Sequence, residues 1–158
     1  MFKTHRIPAL AAGMLSLVLP LAALASDPPS ISENQSACAG KYSAKLKLVF
    51  DHSGSAASAH AEASLVRNPF AHGSVPYPNY FVAQSVVMSR NSANPNWVSD
   101  VQDTEITGAY STTPVTSGTT VFKAPGCELV AAATVNVQCP NGTWEYKNLE
   151  RRWPGCGQ

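Results

Sequence analysis

Residues 144–153 read Trp-Glu-Tyr-Lys-Asn-Leu-Glu-Arg-Arg-Trp and hold the densest group of side chains able to bind something. Trp144, Tyr146 and Trp153 offer flat rings, while Lys147, Arg151 and Arg152 offer cationic hydrogen-bond donors. Aromatic rings combine a large apolar face with, for Tyr and Trp, a polar handle. With Arg, they dominate the energetic centres of protein interfaces. These six residues are the expected binding group, with a glycan or protein partner as ligand. The competing expectation is that one or both tryptophans close the core, since large aromatics are mostly buried.

Other chemistries have weaker patterns. His52, His60 and His72 accompany Asp51 and Glu62. His60 and Glu62 share a face of any strand that holds them, because i and i+2 do. His52 or His72 would have to supply a third donor, and the spacing lacks the tight repeat of metal sites. No metal and no organic cofactor is expected. Serines abound, but none sits in a Gly-x-Ser-x-Gly elbow, and Ser74 beside His72 is not a triad. Asp100, Asp103 and Glu105 lack the Asp/Asn-rich loop and glycine of a calcium site. No catalytic residues are expected.

Bulk composition narrows the class. The first residues, 1–25, have the layout of a secretory signal peptide: Lys3, His5 and Arg6, then an apolar run over 7–24 broken by Pro20, then Ala23-Leu24-Ala25. This predicts export, with the mature chain starting at Ser26 and no membrane span after cleavage. Without Lys3 and Arg6, nine basic side chains face ten acidic ones. That near-neutral balance argues against nucleic acid as a partner, which needs a dense cationic footprint. The expected location is secreted or periplasmic, and the alanine-rich leader has a bacterial character.

These residues must be positioned by β-structure. Tyr42, Ala44, Leu46, Leu48 and Phe50 alternate with Ser43, Lys45 and Lys47, the period of a half-buried strand. Residues 59–66 alternate too. Residues 80–88 are apolar on both faces, which predicts a central strand. Further strands are expected over 97–101, 104–110, 119–124, 129–139 and 143–147. Pro140, Asn141 and Gly142 make a hairpin turn between the last two, with Gly142 in the left-handed position. Residues 26–37 are polar and proline-bearing, and predict a flexible lead-in. Residues 68–79 predict a long loop. No segment sustains a helical period. The expectation is a single all-β domain over 38–158, a disulfide-stabilised β-sandwich or open barrel of seven or eight short antiparallel strands.

Cys38, Cys127, Cys139 and Cys156 predict two disulfides in an exported chain. Around three of them the chain resembles the second half of a sushi (complement control protein) module. The shared residues are Gly118, Val121 and Cys127; Cys139, Gly142 and Trp144; and Pro154 with Cys156. The resemblance covers about a quarter of the chain and stops at the 88 residues from 39 to 126. Cys127 and Cys139 flank an extended segment, too long for a disulfide whose α-carbons must lie within ~7 Å. Two pairings remain. One is Cys38–Cys127 with Cys139–Cys156. The other, Cys38–Cys139 with Cys127–Cys156, is what the resemblance implies. Consecutive pairing during export favours the first, with the segment after Lys147 doubling back towards Cys139.

The reading these residues support is an exported, non-catalytic binding domain. A structural or assembly subunit of a surface structure is the alternative, and a small secreted hydrolase ranks third.

Overall fold

The computed structural model describes residues 30–52, 54–111 and 113–156. The leader, the cleavage site and residues 26–29 of the lead-in lie outside the described residues. Eight strands follow in chain order: β1 (Ser30–Ala37), β2 (Tyr42–Asp51), β3 (Ala56–Arg67), β4 (Tyr80–Arg90), β5 (Val98–Thr107), β6 (Val115–Phe122), β7 (Glu128–Gln138) and β8 (Trp144–Pro154). They form two four-stranded antiparallel sheets, ordered β1-β2-β3-β6 and β5-β4-β7-β8. The sheets face each other, with β3 over β4 and β7, β2 over β7 and β8, and β6 over β4 and β5. The architecture is a β-sandwich, not a barrel. Among the described residues no helix is long and apolar enough to cross a membrane.

The alternation seen in the sequence builds the core. Tyr42, Ala44, Leu46, Leu48 and Phe50 of β2 point inwards, as do Ala57, Ala59, Ala61, Ala63 and Leu65 of β3. From the other sheet come Phe81, Ala83 and Val87 of β4, Leu129, Ala131, Ala133, Val135 and Val137 of β7, and Leu149 and Trp153 of β8. The small inward residues of β3 and β7 lie where the two sheets press together. Larger side chains fill the flanks: Phe50 stacks on Trp153 with ring centroids 4.8 Å apart and planes 12° apart.

Three expectations are corrected. Residues 30–37 are not a flexible lead-in but β1, paired along its whole length with β2. The free edge of β2 supplies the hydrogen bonds that the polar sequence of β1 does not advertise. Residues 97–101 and 104–110 are not two strands; β5 runs unbroken through 98–107. The return strand after the 140–142 turn does not stop near Lys147. It continues to Pro154 in register with the start of β7, Glu128 opposite Pro154.

That last register decides the disulfides. A straight β8 carries Cys156 to the far end of β7, away from Cys139, so Cys139–Cys156 cannot form. The bonds are Cys38–Cys139 and Cys127–Cys156. This corrects the consecutive pairing and matches the pairing that the sushi resemblance implies. No cysteine among the described residues is free. Two closed disulfides are compatible with an oxidising extracellular compartment. Each staples one end of the β7–β8 hairpin, the first to the β1–β2 turn. That turn holds Cys38 and Ala39 at φ 53° and 55°, a left-handed geometry that non-glycine residues seldom adopt.

Candidate functional site

The alternation of β8 splits the six expected binding residues. Trp144, Tyr146 and Arg152 stand on the outer face of the β5-β4-β7-β8 sheet. Lys147, Arg151 and Trp153 have the opposite parity and face inwards. Trp153 is 3% exposed and belongs to the core, whereas Trp144 and Tyr146 are 50% and 62% exposed. Lys147 forms an ion pair with Glu145 at 2.9 Å. Glu145 also accepts the backbone N–H of Cys38 at 3.0 Å, which ties β8 to the first sheet. The six residues are therefore not one group: three are exposed, and three have structural positions.

The outer face gains residues that the sequence did not single out. Tyr80, Gln138 and Trp144 lie in one row across β4, β7 and β8. Tyr80 meets Trp144 edge to face, with centroids 5.8 Å apart and planes 73° apart. The next row is Glu105, Val82, Asn136 and Tyr146, and the one after is Asp103, Gln84, Thr134 and Asn148. Three rings thus share a flat surface with a set of amides, a hydroxyl and carboxylates. Burial, then a hydrogen bond to Glu105, raises the Tyr80 phenol above its ordinary range. The signal for Tyr80 was present as parity: it alternates with buried Phe81, Ala83 and Ser85.

The backbone beneath the rings is tightly held. Gly142 sits at φ 85°, and its N–H donates to the Cys139 carbonyl at 2.8 Å. Cys139 N–H donates to the Thr143 carbonyl at 2.7 Å. The Asn141 carboxamide oxygen accepts from both the backbone and the hydroxyl of Thr143, at 3.1 and 2.8 Å. Asn79 donates its backbone N–H to Gln138 O at 3.2 Å and its amide to Cys139 O at 3.3 Å. With Cys38–Cys139 adjoining, this end of the face is preorganised.

Along β4 and β7 the same face carries Val82, Val86, Met88, Val130 and Ala132, all half-buried, with exposed Val101 beside them on β5. At the far end Arg90 lies over the Trp97 ring at 4.5 Å. It also donates to Glu128, which Arg152 contacts from the other side. Burial alone would raise the Glu128 carboxyl. The hydrogen bonds and charges of Arg90 and Arg152 outweigh that and hold it below the ordinary carboxylate range.

The histidine and acid groupings do not assemble. His60 Nε2 lies 3.2 Å from Glu62 Oε1, which also accepts from Lys47 Nζ at 3.0 Å. His52 stacks instead on Phe50, at 5.4 Å. Among the described residues the only three donors close enough for a metal are Cys38, Cys139 and Glu145, and both cysteines are spent in a disulfide. Asp100 faces the opposite way from Asp103 and Glu105. Hydrogen bonds from the Gln102 side chain and Gly118 N–H lower its carboxyl and tie β5 to the edge of β6.

No protein-family model, no curated protein and no solved structure matches this chain.

Proposed function

We propose that this is an exported, non-catalytic domain that binds an extracellular glycan on the outer face of the β5-β4-β7-β8 sheet. The observation that carries the reading is the outward cluster of half-buried Tyr80 with exposed Trp144 and Tyr146, interleaved with Gln138, Asn136 and Asn148. A sugar ring has an apolar C–H face and a hydroxyl rim. Flat rings take the face, and amides of either polarity take the rim. Trp144 and Tyr146 stand roughly 7 Å apart along β8 by strand rise, so neighbouring sugar units of a chain meet successive rings. Export rests on the leader sequence and the two disulfides. Affinity electrophoresis against a panel of neutral polysaccharides tests the proposal. Retardation by at least one of them, lost in Trp144→Ala, is expected; migration unchanged by every polysaccharide overturns it.

A protein partner is the second reading, favoured by the half-buried strip Val82, Val86, Met88 and Val130. An outer sheet face of this kind is normally polar in an antiparallel sandwich. On this reading Val86→Asp should abolish binding, whereas on the glycan reading polysaccharide retardation should survive it. A donor-strand role for β1 is less supported, because Glu33 and Gln35 occupy positions that alternate with its outward residues.

A further inference from the structure

At the opposite end of this face a recess of about 370 Å³ is lined by Arg90, Glu128, Arg152, the Cys127 end of its disulfide and the loop around Pro95. We propose that this recess is a binding site for an oxyanion group: a carboxylate, sulfate or phosphate. Two guanidiniums share one carboxylate here, so the trio keeps a net charge of +1. Each guanidinium has five N–H donors in a fixed fork. Arg90 uses Nε and Nη2 on Glu128, and Arg152 uses Nε. Nη1 of Arg90 and both Nη atoms of Arg152 have no partner among the described residues. Glu128 is 6% exposed and Trp97 backs the Arg90 plane, while Arg152, largely exposed, is anchored to Glu128 through Nε. The outer edges of two guanidiniums held on one carboxylate match planar and tetrahedral oxyanions.

The walls are rigid as well. Asn91 donates its amide to Phe122 O at 3.0 Å and accepts Asn94 N–H at 2.8 Å. Ser92 N–H donates to Pro125 O at 2.8 Å, and Cys156 N–H to Cys127 O at 3.2 Å. The recess size falls within the range of small-ligand sites. It shares no residue with the aromatic cluster, so it stands or falls separately from the glycan proposal.

The test is NMR titration of the whole exported chain with sodium sulfate, sodium phosphate and sodium acetate, each against sodium chloride at equal ionic strength. The probes are the Trp97 indole and the arginine Nε–H signals. Saturable shifts with at least one oxyanion, and little with chloride, are expected. Arg152→Gln should weaken binding about tenfold or more, the scale of losing a charge-assisted hydrogen bond. Arg152→Lys should retain part of it, and Trp144→Ala should leave it unchanged. No saturable response beyond chloride, or equal affinity in Arg152→Gln, overturns the proposal.

Discussion

Tyr80 and Trp144 touch edge to face at 5.8 Å although a whole strand, β7, lies between their own strands. Gln138 shares their row, on the strand between them. The contact makes one surface from residues 64 positions apart in sequence. Replacing Tyr80 with Ala should therefore weaken glycan binding by loosening Trp144, while stability changes by no more than about 1 kcal/mol at this half-exposed site. Calorimetric titration of the variant, together with its melting curve, separates the two effects.

The two tryptophans of β8 should behave oppositely. Trp153→Ala empties a core position stacked on Phe50 and should cost about 3–5 kcal/mol. Trp144→Ala should cost about 1 kcal/mol, the scale of its edge-to-face contact with Tyr80. Trp153→Phe should cost much less than Trp153→Ala, because it keeps the ring and the buried Trp153 indole N–H has no partner among the described residues. Urea unfolding of the three variants reads this directly; a larger loss for Trp144→Ala would contradict the assignment.

This difference shows what was legible in the sequence. Period-two alternation placed Trp144 and Tyr146 together, and the same parity, carried through Leu149, sends Trp153 to the other face. It was hidden because Glu145, Lys147 and Arg151 occupy three of the five inward positions, so Leu149 and Trp153 alone carry the apolar signature of that parity. They are tolerated there because β8 is an edge strand, where Glu145 meets Cys38 N–H and Lys147. β1 was hidden for a related reason: its pairing rests on the edge of β2 and the Cys38–Cys139 bond, with only Ile31 and Ala37 as inward apolar residues. The β2 strand and the 140–142 turn were plain, since there alternation and turn chemistry agree with the fold.

The disulfides should differ in weight. Cys38–Cys139 spans 101 residues and Cys127–Cys156 spans 29. In the chain-entropy model, their removal costs about 4.7 and 3.6 kcal/mol respectively. Paired Cys→Ser variants should lose stability in that order. Non-reducing peptide mapping should recover Cys38 linked to Cys139; a Cys139–Cys156 peptide would contradict the register of β8.

Alkaline pH should destabilise the fold through Tyr42. Its phenol donates to Pro76 O at 2.9 Å, and burial, with Tyr110 nearby, raises its pKa to about 12 from 10.0. The folded state holds this proton more tightly than the unfolded chain does. The stabilisation is thus complete below pH 10 and is lost as pH rises towards 12. Tyr42→Phe should flatten the fall in stability across that window. At the acid end the sign reverses for Glu128, whose lowered carboxyl contributes stability above the ordinary carboxylate range and loses it as pH falls. Glu128→Gln should flatten that limb.

Chemical-shift mapping with a retarding polysaccharide or its oligosaccharide distinguishes the Tyr80–Trp144–Tyr146 face from every other surface as the binding site. Shifts are expected at the Trp144 indole N–H and at the amides of Asn136, Gln138 and Tyr146, with the Trp153 indole unmoved. Shifts confined to the outer face of the β1-β2-β3-β6 sheet, around Phe122 and His60, would contradict that assignment.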